Sequence, residues 1–491
     1  MIEPENQVSS VKKFGRDVFL YMPAKVVPAL ITVIMTPLLT NLFTPRDYGN
    51  YILVTTSVVL LSIIPGMISG SSAFRFLPVY EQKSQLPTFY NTLIKTSILL
   101  TFCMALFFFI LIQFFRTIFT YELYILIFIG IFLFISNSVF GIFLTLLNAG
   151  QKASLYSFFK IFNTLLFISL GILLVIFAKI GISGFLLGAF LADIISIPLI
   201  YFTCRIKEKG SFSTSIAIEM IKYGYPLSIG SLGSWTLKMS DRYIIGLYRS
   251  SLEVGLYSAA YVVASNSIML LSTLIIQSSY PLIMNIWENK GQEATCEFIK
   301  KMTFYYLLVA FPAVIGLSIL SKLIIQIFTG SSYYEGYKII PIVTFGAFLN
   351  GLQWWTQAGL LLHKKTRLIM YGVILGGILN IGLNVILVPN YGYMAAAWTT
   401  LLGYTVVLIY TVIISHRFLV WKFPFMSFLK IIFASVIMAL VVYPTGNCLT
   451  SSKWINLTSA IGAGIIVYFT VLFLLKEINI KDIKELLESK K

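Results

Sequence analysis

The chain has 491 residues, of which 58% are hydrophobic and only 11% are charged, and its formal net charge is +17. A soluble domain has roughly a quarter of its residues charged, so this composition excludes a soluble globular enzyme and a disordered chain. Four cysteines without a CxxC spacing and two histidines exclude a disulfide-stapled secreted domain and the common metal motifs. A polytopic membrane protein remains.

Apolar runs long enough to cross about 30 Å of hydrocarbon recur along the whole chain. The first run follows a polar stretch and continues for roughly 20 residues, which is not typical of a cleaved signal peptide. The pattern predicts an all-α polytopic membrane protein with about fourteen transmembrane helices. In chain order the predicted spans are 18–40, 49–72, 91–113, 120–147, 154–177, 181–203, 223–248, 254–280, 304–329, 337–361, 368–388, 392–414, 427–445 and 455–476.

Positive charge is distributed unevenly between the two sets of loops. Loops on the side of the N-terminus carry 26 lysines and arginines, and loops on the opposite side carry six. The positive-inside rule therefore predicts that both termini are cytoplasmic. The same bias accounts for most of the net charge, so the composition calls for no nucleic-acid partner.

Three pairs of passages indicate an internal repeat. The pairs are 44–51 (TPRDYGNY) with 250–257 (SSLEVGLY), which share residue types at matching offsets, 148–152 with the basic turn 363–367, and 181–184 (Gly-x-x-Gly) with 392–395 (Gly-x-x-Ala). They predict two six-helix bundles in parallel repeat plus two extra C-terminal helices, with divisions at 1–210, 211–420 and 421–491. Repeats of this kind typically enclose a substrate site near the midplane and work by alternating access.

Ionisable residues inside a span are costly and usually face a cavity or a partner. In the seventh span, Lys238, Asp241 and Arg242 share a face with Ser231 and Trp235. We expect this face to line a water-filled cavity. The alternative is that the polar groups only join neighbouring helices by hydrogen bonds. Lys238 and Asp241, three residues apart, are expected to pair.

The sign of the charge gives a further indication. Lys25, Lys238 and Arg242 outnumber the intramembrane acids, so the predicted cavity is basic. A basic cavity suits a phosphorylated head group, whereas a pump for cationic drugs would have an acidic cavity. Arg75, at the cytoplasmic end of the second span, is a candidate extension of the basic path. Its alternative role is ordinary snorkelling of the side chain to the interface.

Asp193 is a lone carboxylate inside the sixth span. Such a group is a candidate for proton or sodium coupling. A structural ion pair, for instance with Lys25, is the alternative. No resident metal or cofactor is predicted, and the chain has no Walker-type phosphate loop, so direct use of ATP is not expected.

Three passages carry a family resemblance: PALITVIMTPLLTNLFTPRDYGNY, SGSSAFRFLPVY and YGYPLSIGSLGSWTLKMSDRYIIGLYRSSLEVGLYSAAY. With them the chain resembles the multidrug/oligosaccharidyl-lipid/polysaccharide exporter superfamily, and within it the O-antigen and capsule type flippases. The resemblance implies a non-enzymatic flippase for undecaprenyl-pyrophosphate-linked oligosaccharide repeat units in surface polysaccharide biosynthesis. It also implies a bacterial cytoplasmic (inner) membrane, surrounding lipids, and polysaccharide polymerase and chain-length machinery as candidate partners.

Two other functions remain open at this stage. One is a multidrug exporter of the same superfamily, against which the basic cavity argues. The other is a membrane polysaccharide polymerase, an enzyme that handles the same lipids. Polymerases usually carry a large outward loop with catalytic residues, and the predicted outward loops here are short and hold no paired carboxylates.

Overall fold

The computed structural model describes Val27, Ile31 and residues 34–204, 210–448 and 452–477. All regular structure in these ranges is helical, which confirms the predicted all-α fold class. The first helix, α1, ends at residue 42. The others are α2 Pro45–Gln82, α3 Leu86–Phe114, α4 Tyr121–Ala149, α5 Ala153–Ile176, α6 Ser183–Cys204, α7 Thr214–Tyr248, α8 Ser251–Ile319, α9 Ser321–Phe328, α10 Ile340–Thr356, α11 Ala358–Leu362, α12 Thr366–Ser415, α13 Phe425–Cys448 and α14 Lys453–Leu474.

Two helices are long enough to cross a membrane twice. α8 has 69 residues and α12 has 50, and at about 1.5 Å per residue they extend well beyond one hydrocarbon thickness. Each bends at a glycine: Gly291 has φ 77° and ψ −169°, and Gly392 has φ 61° and ψ −151°. Only glycine occupies this backbone region readily. The two arms of α8 coincide with the eighth and ninth predicted spans, and those of α12 with the eleventh and twelfth.

Within the described ranges, nine helices are long and apolar enough to be candidate membrane spans. α8 and α12 are among them and hold two predicted spans each. α10 is outside this set because it has 17 residues, and α7 is outside it although its length is 35 residues. The chain is therefore a multi-pass membrane protein, and every predicted span coincides, in its described part, with helical structure.

One pair of passages from the predicted repeat forms the same helix-ending turn. Gln151 and Lys364 have φ of 55° and 58°. The residue that follows each of them donates its N–H to a carbonyl five residues earlier, Lys152 to Leu147 at 2.9 Å and Lys365 to Leu360 at 2.8 Å. This is the left-handed closing turn that satisfies the last carbonyls of a helix. The sequence repeat at this point is thus a repeat of backbone geometry.

A second pair of passages from the predicted repeat, 181–184 and 392–395, also begins with the same backbone geometry. Gly181, before α6, has φ 66°, and Gly392, before the second arm of α12, has φ 61°. The predicted bundle boundaries at 210/211 and 420/421 stay a prediction.

By packing, the described chain forms two compact units. The N-terminal unit contains Arg46–Trp235, and the C-terminal unit contains Met35–Pro45 and the residues from Thr236 onward. The boundary lies inside α7. Each unit has its own apolar core, centred in the N-terminal unit on residues such as Phe89 and Phe140 and in the C-terminal unit on residues such as Tyr306.

The two C-terminal helices α13 and α14 pack against each other and against α8 in the C-terminal unit. Their contact is close because Gly464 of α14 leaves room for the Val442 side chain of α13. The Tyr468 hydroxyl of α14 donates to the Leu308 carbonyl of α8 at 2.8 Å. These helices are therefore part of the C-terminal unit.

Two charged side chains, Glu253 of α8 and Arg249 just before that helix, hold the bend of α12 in place. The Tyr393 N–H donates to Glu253 Oε2 at 3.0 Å, which satisfies the first turn of the second arm. Arg249 donates from Nε to Glu253 Oε1 at 2.9 Å and from Nη1 to the Pro389 carbonyl at 3.3 Å. The glycine at the bend is required because a Cβ at Gly392 would lie 2.5 Å from Glu253 Oε2.

We predict that Gly392→Ala destabilises the protein by about 1–3 kcal/mol. The reason is that alanine does not tolerate the backbone conformation at this position and its Cβ would clash with the Glu253 carboxylate. Gly382→Ala, in the first arm of the same helix, is the control. A Cβ there meets no atom within 4 Å. It should be neutral or stabilising by up to about 1 kcal/mol. Thermal unfolding of the detergent-purified variants measures both, and equal midpoints would contradict the prediction.

Candidate functional site

The charged face of α7 lies in the C-terminal unit. Asp241 is fully buried, Arg242 is 3% exposed and Lys238 is half-buried. Each lies where an apolar side chain would normally pack inside the unit, so each has lost part or all of its contact with water. Each therefore needs hydrogen-bond or electrostatic partners within the protein.

Asp241 is satisfied by neutral donors. The Tyr257 hydroxyl and the Thr400 hydroxyl each donate to Oδ2 at 2.6 Å, and the Asn384 amide donates to Oδ1 at 2.8 Å. These three groups come from α8 and from both arms of α12. The carboxylate therefore ties four helical segments together.

The predicted pair between Lys238 and Asp241 is wrong. Among the described residues, the ion pairs do not include Asp241. The carboxylate oxygens instead accept hydrogen bonds from neutral groups on α8 and α12. The prediction that Asp241 contacts a substrate stays a prediction, and its complete burial favours a positioning role.

Arg242 is held by aromatic rings. Its guanidinium carbon lies 4.9 Å from the ring centre of Tyr261 and 5.7 Å from that of Tyr257, both on the first arm of α8. Nη1 donates to the Lys238 carbonyl at 2.9 Å. The aromatic rings contact the face of the guanidinium, and the carbonyl of Lys238 accepts a hydrogen bond from one of its five N–H donors. The remaining donors keep the capacity to bind an anion.

A second layer of polar side chains surrounds Asp241. The Thr399 hydroxyl donates to Asn384 Oδ1 at 2.6 Å, and Ser240 contacts the Asn380 amide at 3.3 Å. With its amide turned so that both ends are satisfied, Asn380 donates to Asp241 Oδ1 at 3.1 Å. The network is closed, which fixes the rotamer of Asp241 and the register of α7 against α12.

Asp193 forms a separate polar cluster in the N-terminal unit. It is 2% exposed. The Asn163 amide of α5 donates to Oδ1 at 3.0 Å, and the Ser136 hydroxyl of α4 donates to Oδ2 at 3.0 Å. Asn163 also contacts the Ser196 hydroxyl at 3.3 Å. Lys160, three residues before Asn163 on α5, is a cation that interacts electrostatically with Asp193.

The remaining predicted positions are placed as follows. Arg75 is exposed on α2 in the N-terminal unit, and among the described residues it takes part in no ion pair. Lys25 lies outside the described residues. Arg75 and Asp193 thus belong to one unit, and Lys238, Asp241 and Arg242 to the other. The predicted common cavity stays a prediction.

Sequence reasoning missed several partners of these charges. Lys160 is one of the 26 basic residues counted with the loops on the side of the N-terminus, but it lies well inside α5. Asn380 and Asn384 are four residues apart in an otherwise apolar stretch, and this spacing puts both on one helix face. That signal was available in the sequence. Which acid the two amides meet was not, because Asp241 is about 140 residues away in the chain.

Within the part of the chain that the structure describes, no group of three or more His, Cys, Asp or Glu side chains could hold a metal ion. Arg242 and Lys238 are candidates for binding an anion, and Asp193 is a candidate for exchanging a cation or a proton. Both roles stay predictions.

Comparison with known proteins gives consistent findings. The profile of the family described as "Polysaccharide biosynthesis protein" matches residues 14–287, which is more than half of the chain. By sequence, the chain is 23% identical over 288 residues to the uncharacterized membrane protein MJ1068 of Methanocaldococcus jannaschii, covering 57% of this chain and 55% of that protein. It is 25% identical over 284 residues to the probable low-salt glycan biosynthesis flippase Agl15 of Haloferax volcanii, covering 57% and 59%. These alignments span a little over half the length of each relative.

By structure, the fold is similar to that of the lipid II flippase MurJ in an inward closed conformation. The TM-score is 0.78 at 19% identity, over 94% of this chain and 99% of that one. It is also similar to an inward-facing multidrug resistance MATE family transporter of the MOP superfamily, with a TM-score of 0.60 at 14% identity, over 81% and 93%. At these identities the likeness shows a common fold.

Proposed function

The chain belongs to the polysaccharide biosynthesis protein family, and we propose that it acts as a flippase for a lipid-linked oligosaccharide. The family match and the fold findings confirm the resemblance to the multidrug/oligosaccharidyl-lipid/polysaccharide exporter superfamily. Relatives named as flippases and transporters agree with the prediction that the chain is not an enzyme.

One observation carries the proposal: the family match coincides with a likeness to a flippase fold over nearly the whole chain. A glycan flippase among the sequence relatives supports the same substrate class. The finer proposal is an undecaprenyl-pyrophosphate-linked repeat unit of O-antigen or capsule type. It would be moved from the cytoplasmic to the outer leaflet of a bacterial inner membrane, with both termini cytoplasmic. Polysaccharide polymerase and chain-length machinery are the proposed partners.

The charges of α7 support an anionic head group. Lys238 and Arg242 are cations that no described carboxylate pairs with. A planar guanidinium with free N–H donors matches two oxygens of a phosphate at once, and an ammonium adds a point charge beside it. The lipid tail would stay in the bilayer while the pyrophosphate meets these two groups.

A multidrug exporter is the second candidate, because the fold is also similar to a multidrug resistance transporter. The two functions need opposite charges at the site. A cationic drug would meet Lys238 and Arg242 at the cost of like-charge repulsion in a medium of low dielectric constant. Dye efflux from cells with and without the protein distinguishes this candidate.

The test of the proposed function is the pool of lipid-linked oligosaccharide in a strain that lacks the protein. We expect complete repeat units to accumulate on the cytoplasmic leaflet while surface polymer disappears, and the sugars in that pool to identify the substrate. Unpolymerised repeat units on the outer leaflet would instead indicate a polymerase. An unchanged pool together with reduced dye efflux would indicate a drug exporter.

A further inference from the structure

A cavity of about 550 Å³ opens at the Gly291 bend of α8, beside the start of α13 and the end of α14. All of these segments belong to the C-terminal unit. The volume falls in the range of sites for small molecules and head groups. The lining of the cavity includes no residue of α7, and the proposed function does not use the cavity.

The charged lining of the cavity is predominantly basic. Lys290, Lys300 and Lys301 line it together with Glu297 and Glu477. Both acids are already paired with lysines, so neither is left to repel an anion.

Glu477 pairs with Lys430 at 2.7 Å, and Glu297 pairs with Lys422 at 3.5 Å and with Lys300 at 3.9 Å. Lys290 and Lys301 take part in no ion pair among the described residues. Five lysines thus meet two carboxylates around one cavity, and two of the ammonium groups are available to a ligand.

The rest of the lining is apolar. Phe298 and Phe304 of α8, Ile286 before the bend and Pro424 before α13 supply hydrocarbon surface. A single hydroxyl, that of Ser427, adds a hydrogen-bond donor. A basic rim above an apolar wall matches a molecule that has a phosphate at one end and hydrocarbon at the other.

The position of the cavity decides which such molecule has access. α13 begins at Phe425 and α14 ends at Leu474, and both are candidate membrane spans. The Gly291 bend separates two membrane crossings of α8. The cavity therefore lies where helices leave the hydrocarbon, at the level of the head groups of one leaflet. The loop-charge bias predicts that this leaflet is the cytoplasmic one.

We propose that this cavity binds the head group of an anionic phospholipid from the surrounding leaflet. The phosphodiester lies between Lys290 and Lys301, and the glycerol and upper acyl chains lie along Phe298 and Phe304. Binding here braces the Gly291 bend against the start of α13. The proposal is independent of the transported substrate.

The test uses the full-length protein purified in detergent and titrated with phosphatidylglycerol or phosphatidylcholine while thermal unfolding is followed. Phosphatidylglycerol is expected to raise the unfolding midpoint and phosphatidylcholine to leave it unchanged. In the K290Q/K301Q variant the apparent dissociation constant for phosphatidylglycerol is expected to rise roughly 30-fold, since each lysine contributes about 1 kcal/mol to the attraction. The lipid-free midpoint of this variant should stay close to that of the wild type. Neither lysine is in an ion pair among the described residues, and the exposed Lys301 lies 5.9 Å from the centre of the Tyr305 ring, a contact that is weak at an exposed site.

Two further variants make the result specific. K365Q/R367Q removes two exposed charges from another loop on the same predicted side and should bind phosphatidylglycerol like the wild type. K290R/K301R keeps both charges and should also retain binding. Equal effects of the two lipids, or wild-type affinity in K290Q/K301Q, would overturn the proposal. Stabilisation by inorganic pyrophosphate equal to that by phosphatidylglycerol would assign the cavity to a soluble anion and overturn the lipid assignment.

Discussion

Replacing Lys238 and Arg242 together with glutamine is expected to abolish delivery of glycan to the cell surface at unchanged protein level. Each cation contributes a charge-assisted interaction of about 1.5–3 kcal/mol to an anionic head group, so losing both should slow transport by at least about 100-fold. Glutamine removes the charge and keeps a shorter polar side chain that can still form hydrogen bonds, and neither cation takes part in an ion pair among the described residues. The measurements are surface glycan per cell and the thermal stability of the purified variant.

Matched variants separate charge from geometry at this site. R242K keeps the charge but loses the planar fork and its stacking on Tyr257 and Tyr261. It should give an intermediate loss of transport. K365Q/R367Q removes two cations elsewhere and should transport normally. Full export by K238Q/R242Q would eliminate these residues as the substrate site and leave the family assignment intact.

Substituting Asp193 with asparagine is expected to uncouple transport from the ion gradient without unfolding the protein. Asparagine can still accept from Ser136 or Asn163 through its carbonyl oxygen, so the cluster keeps part of its hydrogen bonding. It cannot bind a proton or attract a sodium ion. Transport of a fluorescent polyprenyl-pyrophosphate sugar in proteoliposomes should then no longer respond to an imposed proton or sodium gradient.

S196A is the control for that experiment. Ser196 contacts Asn163 in the same cluster but not the Asp193 carboxylate. Its loss should leave the gradient response in place. A D193N protein that follows both gradients as the wild type does would show that Asp193 is only a structural acceptor between α4, α5 and α6.

The amino-acid sequence was sufficient to predict the all-α fold class and the positions of the helical segments along the described chain. Hydrophobic runs must match the hydrocarbon thickness wherever they lie in the fold, so span positions are a local property of the chain. The positive φ angles of Gly181 and Gly392 lie in two passages that the sequence had paired, 181–184 and 392–395. The ionisable residues in spans could also be identified, because an apolar surrounding makes each of them conspicuous.

Partners of those ionisable residues depended on tertiary structure. Lys238 lies three residues before Asp241 on helix α7, and this spacing predicted their pairing. In the fold, Tyr257, Asn384 and Thr400 come from other helices and donate to both oxygens of the carboxylate. The same holds for Asp193, whose partners come from α4 and α5. A buried charge is satisfied by whichever donors packing brings to it, and packing joins residues that the sequence keeps far apart.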